Sequence, residues 1–179
     1  MRFALVPLAA VALAAPAGSL AAAEADLVVR ADNRIDDFRV KADGTLGGAV
    51  AALGRPSRVV RTSAVSCRVS WRRLGVRMGF YNLGGLNPCG RRTGHFSNAV
   101  LRGSRWRTGL GLRIGDPVCR LRALYPNAKY KRDGNGGSGW WLVVRTSPFG
   151  TGGTYPGLLA RSRDGVVTAF VVRYPAGGD

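Results

Sequence analysis

Apolar residues at Leu46, Ala49, Val50 and Leu53 fall on one face of a helix. Thr45 stands where an N-cap belongs, and Gly54 with Pro56 ends the pattern. The period then changes. Val65, Cys67, Val69 and Trp71 alternate with Ser66, Arg68, Ser70 and Arg72, which predicts a strand with one buried and one wet face. After a short turn Val76, Met78 and Phe80 alternate with Arg77 and Gly79, so the two runs read as a hairpin. A loop over 83–94, carrying Gly84-Gly85, Pro88 and Cys89, leads to a third strand over 96–102.

The same order then recurs. Ile114-Gly115 matches Leu46-Gly47, and Val118 and Leu121 stand at the offsets of Val50 and Leu53. Asp116 is placed to cap this second helix, Pro117 suits its first position, and Tyr125-Pro126 closes it. Strands are predicted over 140–145, 157–163 and 166–174, the last two joined at Arg163-Asp164-Gly165, where Asp-Gly is a hairpin signal. Gly-rich loops fill 131–139 and 147–156. Residues 26–44 form a polar lead-in whose pieces Leu27-Val28-Val29 and Phe38-Arg39-Val40 predict an edge strand or a loose segment. The fold class read from this pattern is α+β. Two tandem units, 45–110 and 111–174, each hold a short helix plus a three-stranded antiparallel meander, with the helices on one face of the sheet and a tail over 175–179.

The first 25 residues follow another pattern. Met1-Arg2 is a short positive start, 3–15 is an uncharged apolar run, and Ala21-Ala22-Ala23 or Ala23-Glu24-Ala25 offers small residues for cleavage. This layout predicts a secretory signal peptide cut near Ala23 or Ala25. The run is short for a spanning helix, which needs about 20 apolar residues. No cysteine marks a lipid anchor at the cut, and no second long apolar segment follows. The mature chain is therefore expected outside the cytoplasm.

Charge sharpens that picture. Lys and Arg number 27 against 10 Asp and Glu, a formal charge of +17, and only Lys41, Lys129 and Lys131 are lysines. Such a field draws polyanions and makes association salt-sensitive. Outside the cytoplasm these are anionic wall polymers, acidic polysaccharides, anionic lipid headgroups or free nucleic acid, and export argues against a native nucleic-acid role. A GC-rich coding bias with a need for solubility accounts for the same enrichment, and the spread of arginines along the chain fits that alternative.

Three cysteines in an exported chain predict one disulfide and one thiol left over. Cys67, in an alternating strand, and Cys89, in the Asn87-Pro88-Cys89-Gly90 turn after the next strand, are the expected pair. Closing that loop is worth roughly 3 kcal/mol in the chain-entropy account. Cys119 reads as a small buried hydrophobe in the second helix, with an intermolecular disulfide as the alternative.

Catalytic chemistry finds little to work with. His95 is the only histidine, and it lacks an orienting carboxylate in the sequence around it, since Asp116, Asp133 and Asp164 sit where caps and turns explain them. One histidine and three dispersed cysteines do not make a metal site. Gly134 to Gly139 has no Lys-Ser/Thr after it and leads into a strand, so it is no phosphate loop. No cofactor, metal or catalytic residue is expected. A secreted hydrolase using His95 is the remaining enzymatic alternative.

Aromatic–arginine clusters carry the functional expectation. Trp71-Arg72-Arg73, Arg105-Trp106-Arg107, and Trp140-Trp141 with Arg145 place rings beside guanidinium groups, the pair most enriched at binding hot spots. Trp71 shares the buried register of Cys67 and Val69 and belongs to the core. Trp140 and Trp141 point to opposite sides of a strand. Trp106, between two arginines at the junction of the units, is the expected partly exposed anchor. The candidate partner-binding set is Arg105, Trp106, Arg107, Trp140 and Arg145.

The segments Leu46-Gly47 through Leu53-Gly54-Arg55-Pro56 and Gly111-Leu112-Arg113-Ile114-Gly115-Asp116 through Leu121 and Tyr125-Pro126 give the chain a resemblance to known proteins. Over about residues 45–174 it resembles the tandem-repeat secreted beta-lactamase inhibitor proteins and, half by half, the small lipoproteins of outer-membrane assembly. The resemblance implies their fold and a non-catalytic habit, and no target. Those inhibitors carry a disulfide in each repeat, whereas three cysteines here allow one. The expectation is an exported, non-enzymatic binding or inhibitor-like domain that meets an acidic partner through a sheet face, with tryptophan anchors and an arginine rim. An envelope or matrix protein adhering non-specifically to anionic polymers is the alternative.

Overall fold

The structure is a computed structural model and describes residues 25–31, 33–41, 43–132, 137–146 and 153–174. It opens with three short strands, β1 (Leu27–Arg30), β2 (Arg34–Ile35) and β3 (Phe38–Arg39), followed by α1 (Leu46–Leu53). Four strands succeed the helix: β4 (Arg58–Arg61), β5 (Ser66–Trp71), β6 (Val76–Tyr81) and β7 (His95–Leu101). A short strand, β8 (Trp106–Thr108), precedes α2 (Val118–Leu124), and four more strands end the described chain: β9 (Lys129–Arg132), β10 (Ser138–Thr146), β11 (Thr154–Arg163) and β12 (Val166–Arg173).

The strands make two sheets. The large one is antiparallel, in the order β4-β5-β6-β7-β12-β11-β10-β9. Each helix thus leads into a meander, and the two meanders meet at their last strands, β7 against β12. The small sheet runs β3-β2-β1-β8, with β8 parallel to β1.

Period-2 alternation decides which side of the large sheet is dry. Cys67, Val69 and Trp71 of β5 and Val76, Met78 and Phe80 of β6 all point inward and are buried. Phe96, Ala99 and Leu101 of β7, Phe170 and Val172 of β12, and Leu158 and Ala160 of β11 continue the same face. Over it lie α1, α2 and the small sheet, which contribute Leu46, Ala49, Leu121, Val29, Ile35 and Phe38 to one continuous core. The other face of the large sheet is left as an outer surface.

This corrects the expected α+β plan of two helix-plus-three-strand units. The described chain is mostly β, with twelve strands and two short α-helices. Two of the missed strands share a cause. β4 reads Arg-Val-Val-Arg and β9 reads Lys-Tyr-Lys-Arg, and neither alternates apolar with polar. Both lie at sheet edges, where one neighbour suffices and charged side chains discourage further pairing. The lead-in is no loose segment either, since it supplies three strands and buries Val29, Ile35, Phe38 and Val40.

Other expectations stand. The Thr45 hydroxyl accepts from the Gly48 amide at 3.2 Å, and α1 spans the range its spacing predicts. β5 and β6 form the expected hairpin, and Asp164-Gly165 turns β11 into β12 with positive φ at both residues. Asp116 does not cap α2 as expected. Pro117 occupies the cap position, and the Asp116 carboxylate instead accepts from the Arg113 amide at 2.7 Å and pairs with Arg120. Residues 1–24 of the predicted signal peptide, the tail over 175–179, and 133–136 and 147–152 of the two Gly-rich loops lie outside the described residues. No described helix is long and apolar enough to cross a membrane.

Candidate binding face

The residues expected to form a tryptophan-anchored patch are found in structural roles. Trp106 is fully buried at 0% exposure, and its indole N–H donates to the Leu74 carbonyl at 2.7 Å. This overturns its reading as a partly exposed anchor, because β8 is the parallel partner of β1 and turns Trp106 into the core beside Leu27. Arg105 donates from Nε and Nη2 to the Ala25 carbonyl, at 3.2 and 2.8 Å. Arg107 pairs with Asp26 at 3.2 Å. Arg145 reaches the Ala31 carbonyl at the far end of β1. The three arginines fasten the first strand rather than gather on one face. Trp140 is half-buried against the core, edge-on to the Tyr130 ring at 5.5 Å. Trp71 is core, as its register predicts, and donates to the Gly54 carbonyl.

The cysteines divide as expected only in part. Cys67 and Cys89 form the disulfide, with Cα atoms 5.2 Å apart. Cys119 is free and exposed rather than buried. Leu121 and Leu124 occupy the inward positions of α2, and Cys119, two residues before Leu121, is carried round to the solvent side. His95 begins β7, with its ring 6.1 Å from that of Tyr81 and its backbone bridged to Thr45. Among the described residues there is no group of three His, Cys, Asp or Glu able to hold a metal ion.

The outer face of the large sheet has a pattern that no short sequence window displays. Strand register lines up one residue from every strand: Arg58, Ser70, Arg77, Val100, Val171, Leu159, Trp141 and Lys129, each directly opposite the next. The row is cationic at both ends and apolar in the middle. Trp141, Leu159 and Val171 are buried there as a second apolar cluster, distinct from the main core, with half-buried Val100 packed against it. Lys131 holds its ammonium 5.0 Å from the centre of the Trp141 ring, a cation–π contact. The Trp141 indole N–H is buried without a partner.

The next row runs Val60, Arg68, Gly79, Asn98, Arg173. Arg68 therefore stands diagonal to both Arg58 and Arg77, with Ser70 between those two. Strand spacing of about 4.8 Å puts the backbones of Arg58 and Arg77 roughly 10 Å apart. Arg58, Arg68 and Arg77 line a depression of about 160 Å³ with Val60 and Ser70. None of the three guanidinium groups forms a hydrogen bond or ion pair with a described residue. Three such cations repel by roughly 0.5 kcal/mol per pair at about 8 Å in water. No counter-charge offsets this from within the sheet, since none of the ten Asp and Glu residues lies in any of its strands. The carboxylates fall elsewhere: Asp26 and Asp43 are tied to arginines around the small sheet, and each has its pKa held below the usual carboxylate value, first by a side-chain hydrogen bond from Arg113 and Arg39 respectively.

Comparison with known protein families, with curated proteins and with solved structures finds no match. The surface must therefore be interpreted from its own chemistry. Sequence reasoning missed Arg58, Lys129 and Trp141 as members of it because only cross-strand register brings them into one row. The available signal was the wet-face run Ser66, Arg68, Ser70 with Arg77 of the next strand, a stretch with arginines and no acid.

Proposed function

We propose that this chain is an exported, non-enzymatic binding module that recognises an acidic partner protein through the outer face of its large sheet. The observation that supports it is the cross-sheet row, basic at both ends, apolar in the centre, on strands that hold no carboxylate. Trp141, Leu159 and Val171 at the centre are already covered in the free chain, so the contact surface is half-exposed Val100 at the border of that cluster with the cations around it, and the charged rim steers encounter. The disulfide fits an oxidising compartment, and the signal-peptide pattern of the first residues gives the route there.

Adhesion to anionic polymers is the second reading, favoured by the net charge of +17. The two separate on a column of immobilised protein loaded with exported acidic proteins. A specific partner stays bound at about 300 mM salt and is lost when the rim of the cluster is changed by Val100→Glu. Polymer-like adhesion disappears steeply with salt and is indifferent to Val100.

A further inference from the structure

We infer that Arg58, Arg68 and Arg77 form a site for a tetrahedral oxyanion, a phosphate or sulfate group, and this rests on the reading of the outer face given above. Three observations converge. The arginines stand on three adjacent strands, Arg58 and Arg77 facing each other across Ser70 and Arg68 one row below. The floor between them is low. Ser70, directly between Arg58 and Arg77, is a short side chain. The depression they line has no acidic residue. Some arginines elsewhere in the fold are taken up by carboxylates or carbonyls: Arg39 by Asp43, Arg113 by Asp26, Arg61 by the Ser63 and Ala64 carbonyls. These three guanidinium groups are left to act on something outside the chain.

The geometry favours phosphate or sulfate over carboxylate. A tetrahedral anion offers oxygens in several directions, so three guanidinium forks approaching from three sides can each engage it, and the Ser70 hydroxyl can donate from below. A carboxylate is planar, carries one charge, and is saturated by one or two forks. Edge placement of Arg58 keeps the site open to a group borne on a large partner.

The test is a titration of the mature chain with inorganic phosphate, sulfate and acetate at constant ionic strength, reading arginine Nε–H resonances by NMR. Phosphate and sulfate should shift the same three resonances saturably, and acetate should need at least about tenfold more. As pH falls from about 8 to about 6 inorganic phosphate should weaken relative to sulfate, because it takes up a proton and loses its second charge, which tells the two sources apart. Arg68→Lys keeps the charge but not the fork and should cost about tenfold in phosphate affinity. Arg77→Gln should abolish saturation. All three arginines are exposed, so unchanged melting temperatures verify that the variants fold. Linear shifts, equal response to acetate, or a lysine variant that binds as well as the original would overturn the site. Polyglutamate, which has no phosphate, keeps the larger reading separate. If it binds and loses binding with Val100→Glu while phosphate fails to saturate, only the oxyanion site falls. If phosphate saturates and no acidic protein or polyglutamate is retained, the site stands and the larger reading falls.

Discussion

Asp26 and Arg113 form a two-point ion pair, Nη1 to Oδ1 at 2.9 Å and Nη2 to Oδ2 at 2.6 Å, across 87 residues of chain. Arg107 adds a third contact to the same carboxylate. The pair fixes the start of β1 to the segment that leads into α2. Hydrogen bonding by Arg113 holds the Asp26 pKa below its ordinary value of 3.8. A carboxyl depressed on folding contributes stability above its unfolded pKa and loses it as pH falls through the folded one. Asp26→Asn should therefore lower the melting temperature at pH 7, and the gap from the unaltered chain should close as pH falls below the ordinary carboxylate range. A gap that persists unchanged in acid would mean that geometry, not charge, carries the contact.

Trp106 gives the second prediction. Its N–H satisfies the Leu74 carbonyl inside the core. Trp106→Phe keeps most of the apolar volume and strands that carbonyl, at a cost of about 1–3 kcal/mol. Trp106→Ala opens a cavity as well and should cost about 3–5 kcal/mol. Urea unfolding measures both. On a folded Trp106→Phe protein, phosphate and acidic-partner binding should be unaltered, because the indole lies on the opposite side of the large sheet from the basic row.

These residues also show where the sequence was readable. Strands with one dry face, β5 and β6 above all, announce themselves by alternation, and α1 by its spacing and its Thr45 cap. β8 does not. Its three residues are Trp-Arg-Thr, and whether Trp106 faces in or out depends on a parallel partner lying almost eighty residues earlier. The binding face was hidden for a related reason. A row of eight residues, one from each strand, has no sequence period, since it exists only once register is set. Cys119 was misread because two turns of helix leave the burial of a flanking residue undecided until the neighbouring sheet is known.

The disulfide links the inward side of β5 to the loop before β7 across 22 residues. Replacing both cysteines by alanine should cost about 3 kcal/mol, measured by chemical denaturation. Loss should concentrate in the loop, where the Asn82 side chain bonds the Thr93 carbonyl at 2.7 Å and the Leu86 amide at 3.0 Å. Amide exchange of Leu86 should rise more than that of Met78 in the neighbouring strand.

Exposure of Cys119 makes it the reactive thiol of the native protein. A maleimide or aromatic disulfide reagent should label one cysteine per chain without denaturant, at a rate close to that of a model thiol. Labelling that requires unfolding would place Cys119 inside after all.

Gly75 and Gly103 meet where the turn after β5 passes the end of β7. Gly75 has φ of 63°, and a methyl on it would lie 2.8 Å from the Gly103 Cα and nearer still to its amide nitrogen. Backbone cannot retreat here, because the Gly75 carbonyl accepts from the Arg102 amide at 2.9 Å and the Leu74 carbonyl holds Trp106. Gly165 offers the control, with φ of 76° and nothing within 4 Å of the added carbon. Gly165→Ala bears only the left-handed conformation, about 1 kcal/mol. Gly75→Ala bears that and the collision, and should cost at least roughly 2 kcal/mol. Since Gly75 lines a neighbouring depression that shares Arg58, Ser70 and Arg77 with the proposed oxyanion site, the same variant should weaken phosphate binding, whereas Gly165→Ala should leave it unchanged. Equal losses of stability in the two variants would show that the turn yields to the added methyl, and the tight crossing would then not be what holds that rim of the face in place.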